Sequence, residues 1–225
     1  IDSPTMGYSA TRPVGNYATL NPLLRSYSSI TNANTTMTTT GGAGSNQWTL
    51  ASGTQFPTSG KWYFEFYVNS KTGDAGGSSV GVGLQSNQAA TTYPLGNYLG
   101  QQTTGEYNYQ AHGYTFFNNV QSGSPVWASY TTGDTIGVAY DLDSLTCYWY
   151  KNNTLQGSTS LLSGYGYAPA FNIYQASQGT INCGQRPFSY TPPSGYKSLC
   201  TSNLPDSTIL KGNQYMAVSY THLTL

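Results

Sequence analysis

Across residues 61–68 the side chains alternate without a break, Trp62, Phe64, Phe66 and Val68 on one face and Tyr63, Glu65 and Tyr67 on the other. A period of two belongs to a β-strand; a helix would repeat its apolar positions every three to four residues. Both faces are bulky, so such a strand belongs in a sandwich, one face in the core and the other under a loop or neighbour. The pattern returns at Val80, Val82 and Leu84, at Ile136, Val138, Tyr140 and Leu142, and at Cys147 and Trp149. Pro169, Phe171 and Ile173 make a fifth run, Ile181 and Cys183 a sixth. Gly81 and Gly83 leave room for another segment to approach the backbone. Asp143-Ser144 joins the third and fourth runs into an antiparallel hairpin, and the fourth ends in the turn-prone Lys151-Asn152-Asn153. Strands and turns at this spacing predict an all-β sandwich.

The 26 Gly and 11 Pro, with Glu present only as Glu65 and Glu106, oppose helix. Aromatics at 14%, 21 of them Tyr, exceed what a disordered chain carries. Eight basic residues balance eight acidic ones, so no basic surface is offered to nucleic acid. No apolar run approaches the roughly 18–20 residues of a spanning helix, and membrane insertion is not expected. Cys147, Cys183 and Cys200 are far apart with no CxxC pair, which signals neither a disulfide scaffold nor a zinc site. No cofactor is implied.

The chain divides into zones. Residues 1–59, rich in Thr, Ser, Asn and Gly, read as an extended arm with lead-in strands packed on the sandwich. Residues 60–188 are the body, and 189–217 a proline-spaced strap leading elsewhere. The chain begins at Ile1 with no basic-then-apolar start, so no signal peptide is visible and the reading is of a fragment whose start lies upstream.

The succession GKWYFEFYV, SSVGVGL, GDTIGVAYDLDSLTCYWYKNN, YAPAFNIY and INCGQRPFSYTPPSGYKSLCTSNLPD resembles the SPRY domain over residues 60–206, in the version found in fibre and appendage proteins of tailed bacteriophages. The lead-in IDSPT with GNYATLNPL resembles the same phage proteins. Asn153 replaces a frequent Gly and Cys183 a frequent aromatic; Asn also reaches positive φ, and a buried thiol acts as a small apolar group. The resemblance implies a concanavalin-like bent sandwich of two antiparallel sheets, and a recognition module in place of a catalyst. The last eight residues, VSYTHLTL, back-translate to a transposon-end adapter of sequencing libraries. On that reading residues 218–225 are not biological sequence, pack against nothing, and point to an environmental assembly.

Catalysis has few candidates. Asp141 and Asp143 end a strand before a turn, an ordinary way of bonding nearby N–H groups, and Asp134 reads as a turn residue. Glu65, among aromatic neighbours, needs a cation or donors if buried; Arg186 is one candidate partner, in a structural ion pair and not as a catalytic acid. His112, amid Tyr107, Tyr109, Tyr114, Phe116 and Phe117, reads as a surface or aromatic-packed residue of a hairpin, with no nucleophile elbow in the chain. No catalytic residue and no metal ligand is assigned.

Binding is better supported, because Tyr with Ser, Asn and Gly is the mixture that antibody loops use. The turn-rich candidates are Tyr93 and Tyr98, Tyr165 and Tyr167, and Tyr174. In the family the aromatics after the VGVGL strand and at the end of the PAFNIY strand line the ligand pocket, roles that the resemblance gives to Tyr93 and Tyr174, flanked by Asn172 and Gln175. The expected protein is a non-catalytic module on a virion surface, contacting a host-surface glycan or protein or other virion proteins, with a homo-oligomer such as a trimer left open. The alternatives are a bacterial extracellular filament or adhesin subunit and, third, a glycan hydrolase, which requires two facing carboxylates.

Overall fold

The computed structural model describes residues 15–25, 28–39, 48–72, 79–91 and 98–205. Tyr93 and residues 218–225, with the adapter reading of the latter, lie outside these. The described chain is built from β1 (Leu20–Arg25), β2 (Ser28–Thr31), β3 (Thr36–Thr39), β4 (Trp48–Gly53), β5 (Lys61–Ser70), β6 (Val80–Ser86), the short helix α1 (Asn87–Thr91), β7 (Glu106–Gln110), β8 (Thr115–Phe117), β9 (Val120–Gln121), β10 (Thr135–Asp141), β11 (Thr146–Lys151), β12 (Thr154–Ser160), β13 (Tyr167–Tyr174), β14 (Gln178–Asn182) and β15 (Lys197–Ser198). They form two sheets, one ordered β1-β4-β13-β6-β7-β8-β9 and the other β12-β11-β10-β5-β14-β3-β2 with β15 against β5. The fold is the all-β sandwich of two antiparallel sheets; β15 alone runs parallel to its neighbour, pairing Lys197 with Trp62 and Ser198 with Tyr63.

β5 realises the two-residue alternation. Trp62, Phe64, Phe66 and Val68 are buried between the sheets, where they meet Val138 and Tyr140 of β10, Val82 and Leu84 of β6, and Phe171 and Ile173 of β13. Cys147 and Trp149 face the same core. Burial pushes the Cys147 and Cys183 thiols up, which keeps them protonated.

Turn chemistry closes the hairpins. Asn152 and Asn153 both hold positive φ, 45° and 67°, between β11 and β12, the pair of left-handed residues that a two-residue hairpin turn with matching twist demands. Asn118 and Asn119 do the same between β8 and β9. Pro169 sits within β13, a central strand, where proline is normally excluded. It is accommodated because the ladder with β4 begins one residue later, at Ala170 paired to Ser52.

Two segments are more integral than their sequence suggests. The described residues of the lead-in supply four strands: β4 lies between β1 and β13, and the β2–β3 hairpin extends the other sheet beyond β14. The described part of the segment read as a strap, residues 189–205, returns across the sandwich. It adds β15 beside β5 and bridges Cys200 to Tyr17, so its prolines mark an edge-covering path.

Candidate aromatic and amide site on the seven-stranded sheet

Paired residues of neighbouring strands share a face. In the first sheet the rows Leu50–Asn172–Gly81–Gln110 and Trp48–Tyr174 therefore lie on the side away from the core. Over this face folds residues 98–105. Leu99 packs on Leu50 and Ala170, and its carbonyl accepts Asn108 Nδ2 at 2.8 Å. Glu106, fully buried, accepts the Gly100 and Gln102 N–H groups on Oε2 at 2.9 and 3.0 Å and Gln85 Nε2 on Oε1 at 2.7 Å. Burial raises its carboxyl above the ordinary 4.5, the hydrogen bonds from Gln102, Gln85 and Gly100 offsetting only part of that effect.

Beneath residue 99 lies a pair of buried amides. Asn108 Nδ2 also donates to Asn172 Oδ1 at 3.1 Å, while Asn108 Oδ1 and Asn172 Nδ2 are buried with no hydrogen-bond partner. Gly81 faces them, and a Cβ there would overlap Asn108 Oδ1. The glycine thus makes room for the amide pair, the close approach that its place in a strand implies.

Beside the amides, where β4 starts and β13 ends, rings gather. Trp48 stands 4.9 Å from Tyr98 and 4.8 Å from Tyr174, and Tyr98 stands 5.4 Å from Phe116. Gln175 follows at φ 52°, its carbonyl accepting the Thr39 hydroxyl. Trp48 and Tyr98 keep part of their surface in solvent, whereas Tyr174 is 5% exposed.

The sequence-derived candidates therefore separate. Tyr98, Asn172, Tyr174 and Gln175 come together. Tyr167 does not: it is wholly buried, packs on Tyr107 at 5.8 Å and donates its hydroxyl to Leu162 O, so it is a core residue and not a surface contact. It opens β13 and Tyr174 closes it, about 23 Å apart at the usual strand rise. Tyr165 packs beside Tyr167 at 6.4 Å, half-buried at that distant end. Asn172 is also corrected in role, since at 0% exposure it serves as the buried floor and not as an exposed flank. Trp48, Asn108 and Glu106 were not singled out by sequence. The polar alternation of Glu106, Asn108 and Gln110 against Tyr107 and Tyr109 was the available signal.

The carboxylates are structurally engaged. Glu65 is 2% exposed and its partner is not Arg186; Ser189 N, Tyr190 N and the Tyr63 hydroxyl donate to it at 2.8, 2.9 and 3.2 Å, because the returning strap brings its N–H groups over the strand. Asp141 accepts the N–H groups of Asp143 and Ser144 and pairs with Lys61 at 3.1 Å. Burial pushes its carboxyl up, but those contacts outweigh it and hold it below the usual range. Glu65 pairs with Gly137 and Asp141 with Lys61 on adjacent strands, which puts their backbones about 14 Å apart. His112 stacks on Tyr114 at 4.2 Å. Among the described residues no group of three His, Cys, Asp or Glu is placed to hold a metal ion, and no helix is long and apolar enough to cross a membrane.

Comparison with known proteins agrees with this architecture. A dual specificity protein kinase of Dictyostelium discoideum is 28% identical over 142 residues, 63% of this chain. An E3 ubiquitin-protein ligase of Arabidopsis thaliana is 34% identical over 80 residues, 33% of this chain. The chain spans only 6% of the length of each. Among solved structures, the SPRY domain of human HERC1 superposes with a TM-score of 0.59 at 18% identity, covering 75% of this chain and 99% of that one. A human SPRY domain gives 0.57 at 17% identity (72% and 99%), and the TRIM65 PSpry domain 0.55 at 17% (74% and 92%). The SPRY domain profile itself matches residues 61–186, more than half the chain, and with two sheets in this order the protein belongs to the SPRY domain family.

Proposed function

We propose that this protein is a non-catalytic recognition module of a tailed-phage virion appendage, and that the rings around Trp48, Tyr98 and Tyr174 are its contact surface for a host-surface or virion partner. SPRY domains are typically protein–protein interaction modules. The phage setting rests on the sequence resemblance of the lead-in and body to appendage proteins. The observation that carries the surface is the ring cluster itself: two partly exposed aromatics, Trp48 and Tyr98, pack on each other, with Trp48 held on buried Tyr174 and Tyr98 on Phe116, beside buried amide groups without partners. Rigid aromatics offer contact area at low entropic cost.

Binding of the full chain to host cells and to a glycan array tests the reading. Tyr98→Ala and Trp48→Ala are each expected to weaken binding at least about tenfold, or about 1.4 kcal/mol, with circular dichroism unchanged. Folded variants that bind as well as the parent would overturn the assignment. Binding to protein on the cells but to no glycan would identify the partner class.

A further inference from the structure

The second sheet carries a groove on its own outer face. β5 projects Glu65, Tyr67 and Asn69 there, and the paired Thr135 of β10 and Thr180 of β14 lie level with Tyr67. The returning segment at Pro187 and Ser189 walls one side, Arg186 stands on the rim, and the volume of the open groove is about 310 Å³. That is the lower end of the range for small-molecule sites.

The bonding capacity left in this groove is specific. Tyr67 is 43% exposed, in a sheet whose other large rings are mostly covered. Thr180 donates to Asn69 Oδ1 at 2.6 Å, which fixes the Asn69 amide, while Asn69 Nδ2, Thr135 Oγ1 and the Tyr67 hydroxyl make no hydrogen bond among the described residues. Glu65, 2% exposed beneath them, is occupied by its three donors and forms the groove's closed floor. Arg186 pairs with no carboxylate among the described residues. One carboxylate and one guanidinium leave the groove without net charge.

We propose that this groove is a binding site for a neutral hexose unit, separate from the ring cluster on the opposite sheet. The apolar face of a pyranose ring stacks on Tyr67. Its hydroxyls, each both donor and acceptor, receive from Asn69 Nδ2 and Arg186 and donate to Thr135 Oγ1. A flat ring edged with hydroxyls matches one exposed aromatic among fixed donors and acceptors.

Isothermal titration of the full chain with gluco-, galacto- and manno-configured neutral oligosaccharides provides the test. Saturable binding to one configuration is expected, weakened about tenfold or more by Tyr67→Ala and measurably by Arg186→Gln, a rim change that leaves the fold in place. Absence of binding to every sugar in the panel overturns the proposal, as does full affinity in both variants. Tyr98→Ala is titrated in parallel: loss there with retention in Tyr67→Ala would assign the sugar to the ring cluster and overturn this site while sparing the other.

Discussion

Glu106 shows how one residue couples the loop to the sheet. Its carboxylate gathers three donors from residues 85, 100 and 102, two of them backbone N–H groups that no neighbouring strand reaches. Glu106→Ala strands those donors and is expected to cost about 3 kcal/mol in urea unfolding, since each buried orphan costs about 1–3 kcal/mol. Glu106→Gln should cost less, because Gln85 can rotate its amide to meet the new donor. The pH dependence follows from the raised carboxyl. Protonation is favoured in the fold, so this contribution is fully present below the unfolded value near 4.5 and is lost as pH rises through the higher folded value. The parent is therefore expected to lose stability relative to Glu106→Gln across that window. A flat difference between the two from pH 4 to 8 would show that the group does not titrate as described.

Among the elements, the returning segment is attached differently at its two ends. Its far end is anchored by β15, by Leu199 in the core and by bonds to residues 16–18, whereas its near end is held at residues 189 and 190 by the Glu65 carboxylate and at Phe188 by an edge contact with Tyr63 at 4.9 Å. Glu65→Ala removes the acceptor, and hydrogen exchange at Ser189 and Tyr190 is expected to rise at least tenfold while β10 and β13 amides stay protected. Unchanged protection at those two amides would mean that packing alone holds the segment. Gly81→Ala acts on the other sheet. Its methyl displaces the Asn108 and Asn172 amides, so residues 98–105 should exchange faster and partner binding should fall.

On the scale of the molecule, the matched region 61–186 does not contain the whole sandwich. β4 pairs with β13 through Thr49–Ile173 and Leu50–Asn172, and β3 pairs with β14 across more than a hundred residues of sequence. A fragment limited to 61–186 would bare the flanks of β13 and β14, two strands rich in apolar and β-branched residues. It is expected to aggregate or to unfold at clearly lower urea than the full chain, as sheet edges left unpaired do. Size-exclusion chromatography and urea melts of the two chains compare them directly; equal stability would show that the lead-in strands only decorate the fold.

What the sequence determined alone is what depends on neighbours along the chain. Alternation placed Trp62, Phe64, Phe66 and Val68 in one core-facing row, and the asparagine pair at 152–153 closed its hairpin, because side-chain direction and backbone sterics are local. The family resemblance put Tyr174 at the end of its strand, where it meets Trp48. Tertiary structure decided which tyrosines are exposed: Tyr167 and Tyr98 read alike in sequence, yet one is sealed under Tyr107 and the other meets solvent. Tyrosine suits either place, having an apolar ring and a polar tip. It also decided that Glu65 is satisfied by backbone N–H groups from residues 189 and 190 and not by Arg186. Those donors are over a hundred residues distant in sequence, and only closure of the sandwich brings them within hydrogen-bonding reach.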